Sequence, residues 1–63
     1  MTSSISSLFV YWGIYRCDIR VDNPDGRYYF KSISVDEEQA TEENIELWKL
    51  AAIDEATSYW ESL

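Results

Sequence analysis

The side chains here that could do chemistry are carboxylates, one thiol and a surplus of aromatics, and there is no histidine in the 63 residues. Without imidazole, acid–base work falls to Asp, Glu, Lys or Tyr, and a catalytic carboxylate needs a pocket that shifts its pKa. A chain this short has little room for one. Cys17 is the lone cysteine, and a nucleophilic thiol needs a neighbouring base or cation to hold it as thiolate. Its alternation with Tyr15, Ile19 and Val21 instead sets it on an apolar strand face as a small core residue. The inventory predicts a protein that is not an enzyme and uses no cofactor.

Metal chemistry has equally little to work with. Asp22-Asn23-Pro24-Asp25-Gly26 has the outline of a calcium loop but lacks the alternate acids and distal glutamate of an EF-hand. A turn explains every residue of it, so no metal site is expected.

The carboxylates are segregated. Up to residue 35, Arg16, Arg20, Arg27 and Lys31 face Asp18, Asp22 and Asp25, a net charge of +1; from residue 36 onward nine carboxylates face Lys49 alone, a net charge of −8. Such a half repels nucleic acid backbones and anionic membranes, so neither is an expected direct partner, and a protein with a basic surface is. Asp36, Glu37, Glu38, Glu42, Glu43 and Glu46, continued by Asp54, Glu55 and Glu61, have two readings. One is a solvated helix face with acids at its N-terminus. The other is a row of charges that imitates phosphates and occupies a protein's nucleic-acid-binding surface.

Ten aromatic residues in so short a chain argue for a folded domain, since disorder goes with aromatic poverty. Trp12, Tyr28 and Phe30, with Arg16, Arg20 and Arg27 near them in sequence, are residue types that dominate interface hot spots. The same mixture on a sheet would suit single-stranded nucleic acid, a reading that the acidic half disfavours.

The elements that position these residues follow from local signals. Asn23-Pro24-Asp25-Gly26 predicts a type I turn closed by a bulge: proline presets φ, Asn and Asp accept from turn amides, and glycine takes the left-handed position. This turn sets a register with Val21 opposite Tyr29, Ile19 opposite Lys31, Cys17 opposite Ile33 and Tyr15 opposite Val35. That face is almost wholly apolar, whereas Asp22, Arg20, Asp18 and Arg16 pair with Tyr28, Phe30, Ser32 and Ser34 on a mixed one. Upstream the alternation breaks: Leu8, Val10, Trp12 and Ile14 carry apolar side chains onto the polar parity while Phe9 and Tyr11 stay on the core parity. Gly13 then marks a bulge, a bend or a reversal. One long bent strand over about 8–22 is the favoured form, because Trp12-Gly13 is not a preferred hairpin pair; the second strand is 27–35. Residues 1–7, rich in serine, are expected to fray.

After Val35 the helix-start signal appears twice, as Asp36 with Gln39 and as Thr41 with Glu42 and Glu43. From Thr41 to Ser62 there is neither proline nor glycine, and Ile45, Trp48, Ala52, Ala56, Tyr59 and Leu63 recur at helical spacing, predicting a helix over about 41–62. Leu47, Leu50 and Ala51 fall on its opposite side. The expected fold is α+β: an antiparallel hairpin, with a third strand if the N-terminal segment reverses, followed by one long amphipathic helix on its apolar face. Cys17, Ile19, Val21, Ile33, Trp48, Ala52, Ala56 and Tyr59 form the expected core, and residues 8–63 a single domain.

A two-stranded sheet in so small a domain needs support. Disulfides and histidine-bound metal being absent, a homodimer is expected, with Leu8, Val10, Trp12, Ile14, Leu47 and Leu50 as the spare apolar surface. The expected function is a small acidic inhibitor or adaptor that binds a partner protein, of the kind phages and mobile elements encode. The alternative is a structural or assembly subunit acting through homo-oligomerisation. With no basic leader and no apolar run near the roughly 20 residues of a membrane span, the expected location is the cytoplasm.

Overall fold

Asn23-Pro24-Asp25-Gly26 reverses the chain as its residue types dictate. In the computed structural model, which describes residues 1–63, the Asn23 N–H donates to the Arg27 carbonyl at 2.9 Å and the Gly26 N–H to the Asn23 carbonyl at 3.0 Å. Gly26 sits at φ +95°, the left-handed region that costs other L-residues energy. The Asp25 carboxylate accepts from the Arg27 backbone N–H at 3.0 Å and from its Nε at 2.7 Å. The turn joins β2 (Ile14–Asp22) to β3 (Tyr28–Asp36). Their register pairs Val21 with Tyr29, Ile19 with Lys31, Cys17 with Ile33 and Tyr15 with Val35, as turn geometry and hydrophobic alternation together require.

The long bent strand is corrected. The chain reverses at Trp12-Gly13, and β1 (Thr2–Tyr11) pairs antiparallel with β2, giving a three-stranded sheet in the order β1-β2-β3. Trp12 and Gly13 both have positive φ, +48° and +75°, as the primed turn between two adjacent strands demands. The pairing of β1 with β2 outweighs the poor turn propensity of tryptophan. The expected fraying of residues 1–7 is corrected with it: Thr2, Ser3, Ser4 and Ile5 stand opposite Asp22, Val21, Arg20 and Ile19, so ladder hydrogen bonds and the Ile5 side chain hold the serine-rich segment down.

The reversal at Trp12-Gly13 also revises the assignment of faces. Cross-strand partners share a face, so Leu8 opposite Cys17 and Val10 opposite Tyr15 lie on the core side, while Phe9 opposite Arg16 and Tyr11 opposite Ile14 lie on the other. This reverses the parity read from an unbroken strand. A two-residue loop sets the odd-numbered residues of β1 opposite the even-numbered residues of β2, and the extra residue of the β-bulge between Ile5 and Ser7 returns Ile5 and Ser3 to the core side, opposite Ile19 and Val21.

After β3 the two start signals serve two elements. Glu37–Gln39 forms a short 3₁₀ turn, and α1 runs over Glu42–Glu61 with Thr41 as its N-cap. The Thr41 hydroxyl accepts from the Asn44 N–H at 3.2 Å, whereas Asp36 makes no side-chain cap. The helix of 20 residues is about 30 Å long at 1.5 Å per residue, and it lies along the sheet in a molecule measuring 38 × 18 × 17 Å. Tyr15, Cys17, Ile19 and Val21 from the central strand meet Ala52, Ala56 and Trp60 in the core, with Ile33, Ile45 and Trp48 half-buried beside them. The alanines let the helix approach β2 closely. Tyr59 is corrected from core to surface: it is 49% exposed, packing its ring on Tyr29, while Trp60 is 9% exposed. The Arg27 guanidinium lies over the Trp60 ring at 5.2 Å. No helix is long and apolar enough to cross a membrane.

Candidate partner-binding surfaces

The tip of the first hairpin has the least conventional geometry. Trp12 is 95% exposed, held in left-handed backbone with its ring edge-on to Tyr11 at 5.9 Å. A bulky residue at positive φ is uncommon, and a conformation of that kind costs about 1–2 kcal/mol. Its side chain recovers almost nothing by burial.

Beside this tip the chain places its acids. Asp36 pairs across the sheet with Ile14, and the Glu37 N–H donates to the Gly13 carbonyl at 2.7 Å, fastening the 3₁₀ turn to the hairpin. Gly13, Asp36, Glu37 and Glu38 line an open depression with no apolar side chain in its wall. Glu42 and Glu43 follow in the first turn of α1, and Asp36, Glu37, Glu38, Glu42 and Glu43 are all exposed. The four ion pairs of the fold, Arg20–Asp22, Arg27–Asp25, Lys31–Glu55 and Lys49–Glu46, leave these five carboxylates without a cation. Glu46 is therefore separated in chemistry from the other five acids by its contact with Lys49, and Glu55 turns toward β3 instead of continuing a negative edge.

The sheet face away from the helix is uncovered. At its centre Asp18 accepts from the Ser32 hydroxyl at 2.7 Å and the Ser7 hydroxyl at 2.8 Å, while the Ser6 hydroxyl donates to the Asp18 carbonyl at 3.3 Å. The hydrogen bonds from Ser32 and then Ser7 hold the Asp18 carboxyl below the usual aspartate value. One aspartate thus ties all three strands together across the open face. Toward one end the Arg20 guanidinium lies 4.6 Å from the Tyr28 ring centre and 5.9 Å from that of Phe30; toward the other lie Phe9, Tyr11, Ile14 and Arg16. Trp12 and Arg27 do not belong to this face, one being at the turn and the other against Trp60. Of Trp12, Tyr28, Phe30, Arg16, Arg20 and Arg27, the open face therefore keeps Tyr28, Phe30 and Arg20 at one end and Arg16, beside Phe9, at the other.

Of the spare apolar residues, Leu8 and Val10 emerge on the helix side of β1, half-exposed, and Ile14 is half-buried at the start of β2. Leu47 and Leu50 project from the solvent side of α1, Leu50 being 60% exposed. Phe9, 63% exposed, and Tyr11 join this set. An unbroken strand puts both on the core side, and the one signal to the contrary is Gly13, which permits the reversal that turns them to the other face.

Cys17 is buried in the core, and burial, with the Asp18 charge second, pushes its thiol upward. Tyr15, beside it, is shifted upward first by burial and then by Cys17. Both groups therefore favour their neutral forms. No protein-family model, curated protein or solved structure matches this chain.

Proposed function

We propose that this chain is a small protein-binding inhibitor or adaptor that docks through the end of the molecule carrying Trp12, Asp36, Glu37, Glu38, Glu42 and Glu43 onto a basic surface of a partner protein. The observation that carries the reading is the pairing, at one end, of a fully presented tryptophan in costly backbone geometry with five carboxylates that have no cation of their own. Tryptophan supplies the large apolar anchor typical of a hot spot, and unpaired charges steer association and fix its orientation. A partner whose basic surface normally holds nucleic acid fits this arrangement, which makes the chain a phosphate mimic. Small size and acidity accord with a phage or mobile-element origin and with work in the cytoplasm.

The test is capture of partners on immobilised protein at low and high salt, comparing the wild type with a variant in which Glu42, Glu43 and Glu46 are changed together to lysine. Loss of a salt-sensitive partner supports the reading, provided circular dichroism shows the helix intact. A partner retained by the triple variant with unchanged salt dependence rules mimicry out.

A second reading is favoured by a different observation, the run of exposed apolar side chains Leu8-Phe9-Val10-Tyr11 on an edge strand. In it the chain is an assembly subunit acting as a homo-oligomer. Trp12→Ala then leaves association intact, and the triple charge reversal changes it little.

A further inference from the structure

We propose that two copies of this chain join along the free edges of their β1 strands, antiparallel across a two-fold axis at Phe9, to make one continuous six-stranded sheet. The proposal rests on the assembly reading above and names its surface and register.

β1 and β3 are the two edges of the sheet. An edge strand exposes a row of unpaired N–H and C=O groups, and folds guard against pairing with charges, especially lysine, with proline or with cover. β3 is guarded by Lys31, which is held in an ion pair with Glu55 of the helix. β1, Thr2-Ser3-Ser4-Ile5-Ser6-Ser7-Leu8-Phe9-Val10-Tyr11, contains no charged residue and no proline, and no other strand and not the helix lacks charge in this way. In a chain of net charge −7 whose excess of acids lies from residue 36 onward, a second copy approaching through the helix brings carboxylate toward carboxylate. Along β1 it does not.

The register follows from the ladder. The two-residue turn makes Tyr11 and Ile14 a hydrogen-bonded pair, and alternation then turns the N–H and C=O groups of Tyr11 and Phe9 toward β2 and those of Val10 and Leu8 outward. The irregularity between Ile5 and Ser7 closes the usable edge at one side and the Trp12-Gly13 turn closes it at the other. The window that remains, Ser7 to Tyr11, is centred on Phe9. Antiparallel pairing about that centre sets Leu8 against Val10 of the second copy and Val10 against its Leu8, both as hydrogen-bonded pairs, and it sets Phe9 against Phe9. On the helix side Leu8 and Val10 of both copies form one apolar row; on the open face the two Phe9 rings meet. The two Trp12 tips then lie at opposite ends of the new ladder and stay free, so dimerisation does not consume the acidic end.

Three single-cysteine additions read the register, because only the residue on the two-fold axis faces its own copy. The background is Cys17→Ala, because Cys17 stands directly opposite Leu8 and would close a disulfide with Leu8→Cys within one copy. In it, Leu8→Cys, Phe9→Cys and Val10→Cys are each oxidised at a concentration where light scattering gives twice the monomer mass for that background. The Cα separation of a non-hydrogen-bonded antiparallel pair, about 4.5 Å, lies within the disulfide range. Phe9→Cys should form a covalent dimer at least about tenfold faster than the other two. Val10→Pro, which removes an outward N–H at an edge position, should give a folded monomer. A dimer that cross-links first at Leu8 or Val10, or at none of the three, overturns this pairing while leaving self-association intact. A wild type that stays monomeric at millimolar concentration overturns both.

Discussion

Replacing Trp12 by asparagine separates what the fold needs from what the surface offers. Trp12 holds φ +48°, and left-handed backbone costs an ordinary L-residue about 1–2 kcal/mol, whereas asparagine tolerates it and Asn-Gly is a favoured pair for this turn. Against that gain of about 1 kcal/mol stands the loss of the edge-on contact with Tyr11 at 5.9 Å, worth about 0.5 kcal/mol at an exposed site. Burial adds little to the balance, since the side chain is 95% exposed. Trp12→Asn should therefore stabilise the protein by about 0.5 kcal/mol, raising Tm by about 2–4 °C in a domain of this size. Thermal denaturation by circular dichroism at a fixed protein concentration measures it, with partner capture as the parallel readout. The expected result is a rise in stability together with a fall in binding. A Tm lowered by several degrees would make Trp12 a structural residue, and capture unchanged by the substitution would remove it from the docking surface.

Other expectations follow from individual contacts. Because Ser32 and Ser7 depress the folded-state pKa of Asp18, its contribution to stability is fully present above the unfolded value of about 3.9 and is lost as pH falls through the lower folded value; Asp18→Asn should flatten this acid limb in urea melts taken between about pH 2 and 5, and an unchanged limb would deny the network its role. Thr41→Ala removes the cap on Asn44 and should cost about 1 kcal/mol by urea denaturation, with no loss expected if the 3₁₀ turn alone terminates the helix. Ile19, fully buried at 0% exposure, should cost about 2–5 kcal/mol as Ile19→Ala, and a loss below about 1 kcal/mol would mean the core collapses around the gap.

The second hairpin was legible in the sequence because two independent signals coincide there: the residues of the turn and the alternation from Tyr15 to Val35 give the same register, the one observed. The helix was legible for the same reason, its cap and its periodicity agreeing at Thr41. β1 was not. Its turn pair, Trp12-Gly13, violates local propensity, and the bulge near Ser6 hides its alternation, so each local cue opposed the pairing that long-range contact with β2 enforces. The choice between Tyr59 and Trp60 as the core ring fell to the helix rotation set by Ala52 and Ala56, a property of packing that a one-residue difference in sequence does not reveal. For the surfaces, the acids could be named from composition, but their proximity to Trp12 depends on the Glu37–Gly13 hydrogen bond, which no sequence spacing announces.

Three costs fall on the same end of this molecule: left-handed backbone at Trp12, a large apolar ring left in water, and five carboxylates without a cation. Each is cheap for a sequence to avoid. Asparagine serves the turn, a polar side chain serves the tip, and one lysine among Asp36, Glu37 and Glu38 relieves the repulsion. The chain has only seven buried residues to draw stability from, so small local losses weigh heavily against its margin. Sequences depart from local rules chiefly where function asks it of them, and the departures here converge on one surface while the core, the second hairpin and the helix cap obey theirs. The uncharged β1 edge is a departure of another kind, an omission of protection, and it lies along a different side of the fold. The two proposed contacts therefore do not compete for surface: the self-association proposed along β1 leaves Trp12 and its acids on the other side, where the proposed partner protein docks.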